Sequence, residues 1–187
     1  MTVVENKLTP ILIGFEVSGE ILEQVLQVNK KMDCSKIDLS SRVPHVTLWM
    51  GFVKTKQIPS LKLGLEKIFQ NISITAATGK LESYENEFGS VWSLNIEINR
   101  DLYLLQNRVH HFFEPFRELS GEIESLNETT LSYINGFATK SLVSFDPHIT
   151  IGFGDMQNEI NFPETIELSN PKMFELANYC TCKGEIQ

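Results

Sequence analysis

The sequence predicts an α+β fold of two pseudo-symmetric lobes, each an antiparallel-rich sheet with helices packed outside it, and a groove between them. Three observations lead there. Stretches in which apolar residues alternate singly stand beside stretches in which they recur at helical spacing. Strand, helix, strand, helix over the first part of the chain is followed by a second strand-then-helix unit. A five-residue pattern, Pro44-His45-Val46-Thr47-Leu48, returns as Pro147-His148-Ile149-Thr150-Ile151.

Taken in order, Ile11, Ile13, Phe15 and Val17 alternate with Leu12, Gly14 and Glu16, which marks a first strand. From about Ser18 to Met32, Ile21, Leu22, Val25, Leu26 and Met32 recur at helical spacing, with Ser18 placed to cap. Asp33 to Ser41 reads as a loop. Val43 to Val53 is apolar and β-branched enough for a strand, and Ser60 to Phe69 puts Leu61, Leu65, Ile68 and Phe69 on one helical face. Ile72 to Tyr84 and Val91 to Ile98 read as a hairpin around turn-rich residues 85–90. Asn99 is placed to cap a helix over Arg100 to Phe113, with Leu102, Leu105, Val109 and Phe112 as its buried stripe and Pro115 near its end. Glu118 to Lys140 is longer and more polar than other connections and reads as an excursion of loops with a short strand near Tyr133. Ser141 to Phe153 returns to strand character, and Met173 to Gly184 reads as a closing strand after Pro163 and Pro171. No Gly- or Ser-rich linker interrupts the chain, so residues 1–187 are expected to form one bilobal domain with approximate halves 1–85 and 86–187.

Composition limits the partners. A net charge of −8 and a pI near 5.0 repel a long polyphosphate, and no run of Lys and Arg with interleaved aromatics appears. A small nucleotide or short oligonucleotide remains compatible, whereas a long nucleic acid is not expected. The stretch from Met1 to Lys7 lacks the basic start and apolar core of a secretory signal, and the apolar runs are too short to cross a bilayer, so no membrane partner is expected. Cys34, Cys180 and Cys182 form an odd set, which fits a reducing compartment; a cytoplasmic monomer is the expectation. Cys180 and Cys182 would face the same way on a strand and read as ordinary strand residues rather than a metal or redox pair. The sequons at Asn71 and Asn127 read as accidental.

The repeated pattern carries the chemistry. Strand side chains alternate faces, so His45 and Thr47 point one way, as do His148 and Thr150, while Val46, Leu48, Ile149 and Ile151 point into the interior. Pro44 and Pro147 favour strand starts at both places. Two such pairs facing one another across a groove suit a phosphodiester: a neutral imidazole takes a proton from water or a ribose hydroxyl, and a protonated one gives a proton to the departing oxygen. The threonine hydroxyls donate to nonbridging phosphate oxygens, where negative charge accumulates. No Asp and Glu cluster surrounds the histidines in the sequence, so the scheme uses neither metal nor cofactor. His110 and His111 are adjacent on a helix, point in different directions and read as ordinary residues. Trp49 shares the face of His45 and Thr47, with Gly152 as its counterpart beside Thr150; an indole opposite a bare backbone leaves room to stack a base, the alternative being that Trp49 packs at the groove's edge. Phe15, on the predicted first strand, is a weaker candidate for that role and reads first as a core residue.

These residues resemble the 2H phosphoesterase superfamily, which includes the bacterial 2′-5′ RNA ligase-like proteins and the 2′,3′-cyclic phosphodiesterases. Its defining feature is a pair of His-x-Thr/Ser motifs, each followed by a hydrophobic residue, one in each lobe. His45-Val46-Thr47-Leu48 and His148-Ile149-Thr150-Ile151 match both, and Phe88-Gly89-Ser90-Val91-Trp92 resembles the family's approach to its central strand. The resemblance implies metal-independent phosphodiester chemistry in a groove between the lobes, with the quartet of His45, Thr47, His148 and Thr150 as the site. It leaves the substrate open, because Gly152 and Phe153 stand where some members carry basic residues and residues 118–140 match no subgroup. A 2′,5′ ligase activity is disfavoured by the acidic charge, and a noncatalytic nucleotide-binding module by the presence of both histidines.

Overall fold

The computed structural model describes residues 7–32, 43–86, 89–120, 123–156 and 161–186. The loop expected over 33–41 and the turn residues 87 and 88 lie outside these. The first alternating run folds as β1 (Leu8–Glu16) and leads into α1 (Gly19–Asn29), at whose N-cap Ser18 is extended without making a side-chain cap bond. Then come β2 (His45–Lys54), α2 (Ile58–Phe69), the hairpin β3 (Ser73–Asn86) and β4 (Gly89–Ile96), and α3 (Arg100–Phe113). Asn99 caps α3 by accepting from the Leu102 amide at 2.9 Å. The later elements are α4 (Glu128–Val143), β5 (His148–Phe153), β6 (Thr165–Ser169), β7 (Lys172–Leu176) and β8 (Cys182–Glu185).

All strands join one antiparallel sheet in the order β6-β3-β4-β5-β2-β1-β7-β8. Two four-stranded groups of mirrored order, β6-β3-β4-β5 and β8-β7-β1-β2, therefore meet at the β2–β5 seam, where Val46 pairs with Ile149. The groups do not follow a cut near residue 85: β3 opens the second group, and β7 and β8 return to complete the first.

One face of the sheet packs on α1, α2 and α3 through residues such as Val25, Leu61, Leu102 and Val109. On α3 it is Phe113, rather than Phe112, that is fully buried. The other face is covered only in part, where Leu131 and Ile134 of α4 pack over Leu12, Phe52 and Phe174. The uncovered remainder of that face is the floor of a cleft.

The expected excursion at 118–140 is instead largely helical. Tyr133 sits in α4 rather than in a strand, and residues 141–143 continue that helix, so β5 starts only at His148. Asn127, part of a sequon, is the helix cap, its Oδ1 accepting from the Thr130 amide at 2.8 Å. The expected closing strand is two strands, β7 and β8, separated by a turn at Asn178–Cys180, and Cys180 and Cys182 consequently do not share a strand. Among the described residues no helix is long and apolar enough to cross a membrane.

Candidate active site

His45 and His148 are each the first residue of their strand. The proline carbonyl before each is tied to the neighbouring strand's end, Pro44 accepting from the Val17 amide at 2.9 Å and Pro147 from the Ile96 amide at 2.8 Å. Each imidazole is then fixed by the carbonyl two residues back: His45 Nδ1 donates to Val43 O at 2.7 Å, and His148 Nδ1 to Asp146 O at 2.9 Å. A carbonyl only accepts, so both rings carry the Nδ1 proton and leave Nε2 for chemistry. The same device on both strands explains why Pro-His recurs.

After each threonine the strand carries a β-bulge. Opposite β1 the register passes from Trp49 to Thr47 between Ile13 and Gly14, skipping Leu48; opposite β4 it passes from Gly152 to Thr150 between Trp92 and Ser93, skipping Ile151. An extra residue reverses the facing of everything beyond it. His45, Thr47 and Met50 consequently line the cleft, as do His148, Thr150 and Phe153. Trp49 turns into the core at 0% exposure and stacks on Phe113, ring centroids 4.7 Å apart. A Cβ on Gly152 would meet Met32 Sδ at 2.5 Å on the same core side. The sequence-based placement of Trp49 and Gly152 beside the groove thus fails for one reason, and Met50 and Phe153 occupy those places. Phe15 is also fully buried, on the β1 face that packs under the helices. Both bulges have support. Gly14 lies where a Cβ would be 2.4 Å from Val46 O, and the buried Asn29 of α1 donates to Ile151 O at 2.9 Å.

The structure thus brings His45, Thr47, His148 and Thr150 into one cleft of about 760 Å³. Burial lowers the His45 pKa below its usual 6.5, the Val43 bond opposes this more weakly, and charge on His148 lowers it further. Cys182 Sγ lies 3.5 Å from His45 Nδ1, and burial raises its pKa, so it stays a neutral thiol against the ring. His110 is buried and His111 exposed, both away from the cleft. No cluster of three His, Cys, Asp or Glu side chains suited to a metal ion occurs among the described residues.

Sequence reasoning missed the cleft's other walls. The inward face of α4 supplies Tyr133, Phe137 and Lys140, with Lys140 Nζ 5.6 Å from the Tyr133 ring centroid. Tyr84 comes from β3, and Tyr179 from the turn between β7 and β8. That turn is strained: Tyr179 and Cys180 have φ of 61° and 53°, a conformation costing a non-glycine residue of order 1 kcal/mol or more. Bonds to the α4 start hold it. Asn178 Oδ1 accepts from the Asn127 amide at 2.7 Å, and the Tyr179 amide donates to Thr130 Oγ1 at 3.0 Å. The sequence signals for the two bulges were Gly14 and Gly152, glycines inside strands.

The mirrored antiparallel sheet with helices on one face gives this chain a LigT-like fold. In particular, it is similar to E. coli LigT. The apo form aligns with a TM-score of 0.55 at 16% identity, over 91% of this chain and 88% of that one. LigT complexed with 3′-AMP gives 0.52 at 17% identity, over 90% and 88%. A solved structure described as a phosphoesterase gives 0.52 at 17%, over 89% and 88%. No protein-family model matches the sequence, and no curated protein matches it significantly.

Proposed function

We propose that this protein is a metal-independent phosphodiesterase of the 2H type, acting by paired-histidine acid and base catalysis on a small RNA-type phosphodiester: a 2′,3′-cyclic phosphate, a 2′,5′-linked oligonucleotide or a cyclic oligonucleotide. The observation that carries this reading is the pair of imidazoles in one cleft, each with Nδ1 held by a carbonyl and Nε2 left over, and each followed two residues later by a threonine. His45, whose burial favours the neutral ring, takes the proton from the attacking water or ribose hydroxyl. His148 gives a proton to the departing oxygen. Its charge disfavours charge on His45, so the two states needed for catalysis support one another. Thr47 and Thr150 donate to the nonbridging oxygens. The fold likeness supports a nucleotide ligand, since E. coli LigT structures hold 3′-AMP, NADP+ and ATP. A monomer in a reducing, cytoplasmic setting without a cofactor belongs to the same reading.

The test is turnover of 2′,3′-cyclic nucleotides, 2′,5′-oligoadenylates and cyclic dinucleotides in the presence of EDTA. Cleavage of at least one of them is expected to continue undiminished. Loss of turnover that returns with magnesium or manganese would sink the mechanism.

A further inference from the structure

The two His-Thr strands carry the same device on their histidines, yet the rings differ in what lies beside them. The His148 bond to Asp146 O is exposed, whereas at His45 the sulfur of Cys182 stands 3.5 Å from Nδ1, next to the 2.7 Å bond to Val43 O. Cys182 belongs to β8, the outermost strand, three strand spacings from β2. In a flat sheet that is about 14 Å, far more than the two side chains span, so the contact exists only because the sheet curls. Local bonds fix the curl. The Ala177 amide donates to Thr181 O at 2.8 Å to close the turn, and Cys182 lies opposite Leu176 of β7 in the register. Lys172 of β7 binds Glu16 of β1 at 2.7 Å and Glu185 of β8 at 3.2 Å. Cys182 is fully buried there, in one apolar cluster with Leu12 and Met50, so its sulfur is closed to solvent.

From this contact we infer that Cys182 is a positioning residue for His45: its buried thiol closes the Nδ1 edge of the ring to water, holds Nε2 toward the cleft and keeps the surroundings of the imidazole apolar. The inference rests on the reading of His45 as the base and says what sets that ring apart from its counterpart on β5. Water at Nδ1 would compete with Val43 O for the ring proton and would solvate an imidazolium, whereas a thiol sulfur is a weak acceptor and does neither well. Burial keeps the thiol protonated, so no thiolate stands beside the ring to favour charge on it. The titratable and charged groups around His45 are His148 of β5, Cys182, Cys180 in the turn before it, Glu16 opposite His45 on β1, and Lys140 and Asp146 in the cleft. Glu16 is engaged by Lys172, and charge on His148 acts in the same direction as burial, against charge on His45.

The experiment titrates the His45 ring by NMR in the wild-type protein and in Cys182→Ser, Cys182→Thr and Cys182→Val, with urea midpoints to confirm folding. Alongside it, the acid limb of kcat/KM is measured on a probe cleaved in the EDTA assay, beginning with adenosine 2′,3′-cyclic phosphate. Serine and threonine each place a hydroxyl acceptor at Nδ1 and should raise the His45 titration midpoint by about one pH unit, the acid limb moving with it. Valine has the shape of threonine without the hydroxyl, so it should keep the wild-type midpoint while sharing any strain that threonine brings. A second measurement needs no variant: in the wild-type protein the Nδ1 proton of His45 should exchange with solvent about tenfold more slowly than that of His148. Equal midpoints in the threonine and valine variants, or equal exchange at the two rings, would overturn the inference and leave the phosphodiesterase reading standing. A midpoint that moves while the acid limb stays would take the base role from His45 and the positioning role with it. Cleavage of no probe would remove the phosphodiesterase reading, and the midpoints and exchange rates would still report whether the thiol seals the ring.

Discussion

At the scale of single residues, the roles proposed for His45 and His148 rest on a carbonyl two positions back and on what surrounds each ring. His45→Ala or His148→Ala should lower kcat by about two to four orders of magnitude while the protein stays folded. If both act in one displacement, as proposed, the double variant should be scarcely worse than either single one. Steady-state kinetics on a cleaved probe checks this, and multiplying losses would argue against concerted action. The pH dependence follows from His45. It must be neutral to accept a proton, and burial together with charge on His148 lowers its pKa, so the acid limb of kcat/KM should lie below pH 6.5. An acid limb above that value would assign the base to another group. Thr47→Val and Thr150→Val keep the strand's shape and remove one donor each, so turnover should fall more than binding.

At the scale of elements, the two bulges set which side chains see the cleft, and Asn29 makes the second one affordable by pairing the Ile151 carbonyl. Asn29→Leu leaves that buried carbonyl unpaired and should cost about 1 to 3 kcal/mol, read as a lower urea midpoint. A midpoint equal to the parent's would show that the carbonyl finds another partner. The bulges also explain what the sequence made legible. Strict alternation placed His45, Thr47, His148 and Thr150 in one cleft, because each pair lies before its bulge. It misplaced Trp49 and Gly152, which lie one residue beyond, because alternation is blind to an inserted residue. Helices α1, α2 and α3 were readable, each burying one apolar face. Helix α4 was not: Leu131 and Ile134 face the sheet while Tyr133 and Phe137 face the cleft, so its apolar residues form no single stripe. The division into β7 and β8 was hidden too, since the left-handed turn between them uses Tyr179 and Cys180 rather than glycine.

At the scale of the whole molecule, folding takes up groups that resist protons. Burial lowers the pKa of His45 and of His110 below 6.5, and the Arg117 hydrogen bond lowers the Glu114 carboxyl below its usual 4.5. All three bind fewer protons folded than unfolded, so the unfolded state gains as the solution becomes more acid. The Tm should hold between pH 6.5 and 9, above which the raised Cys182 pKa works against the folded state, fall as the pH drops from 6.5 through the folded pKa values of the histidines, and fall again below 4.5. A Tm that rises on acidification across that range would contradict it. The topology has a further consequence, for the order in which the molecule comes into being. Residues Ile11 to Gly14 of β1 pair on one side with β2 and on the other with β7, near the opposite end of the chain. On the ribosome β1 therefore waits with one edge bare until Lys172–Leu176 has emerged, the long-range pairing that makes β folding slow. A nascent chain halted before that point already holds both His-Thr strands yet lacks the strand and turn that stand beside them in the folded protein.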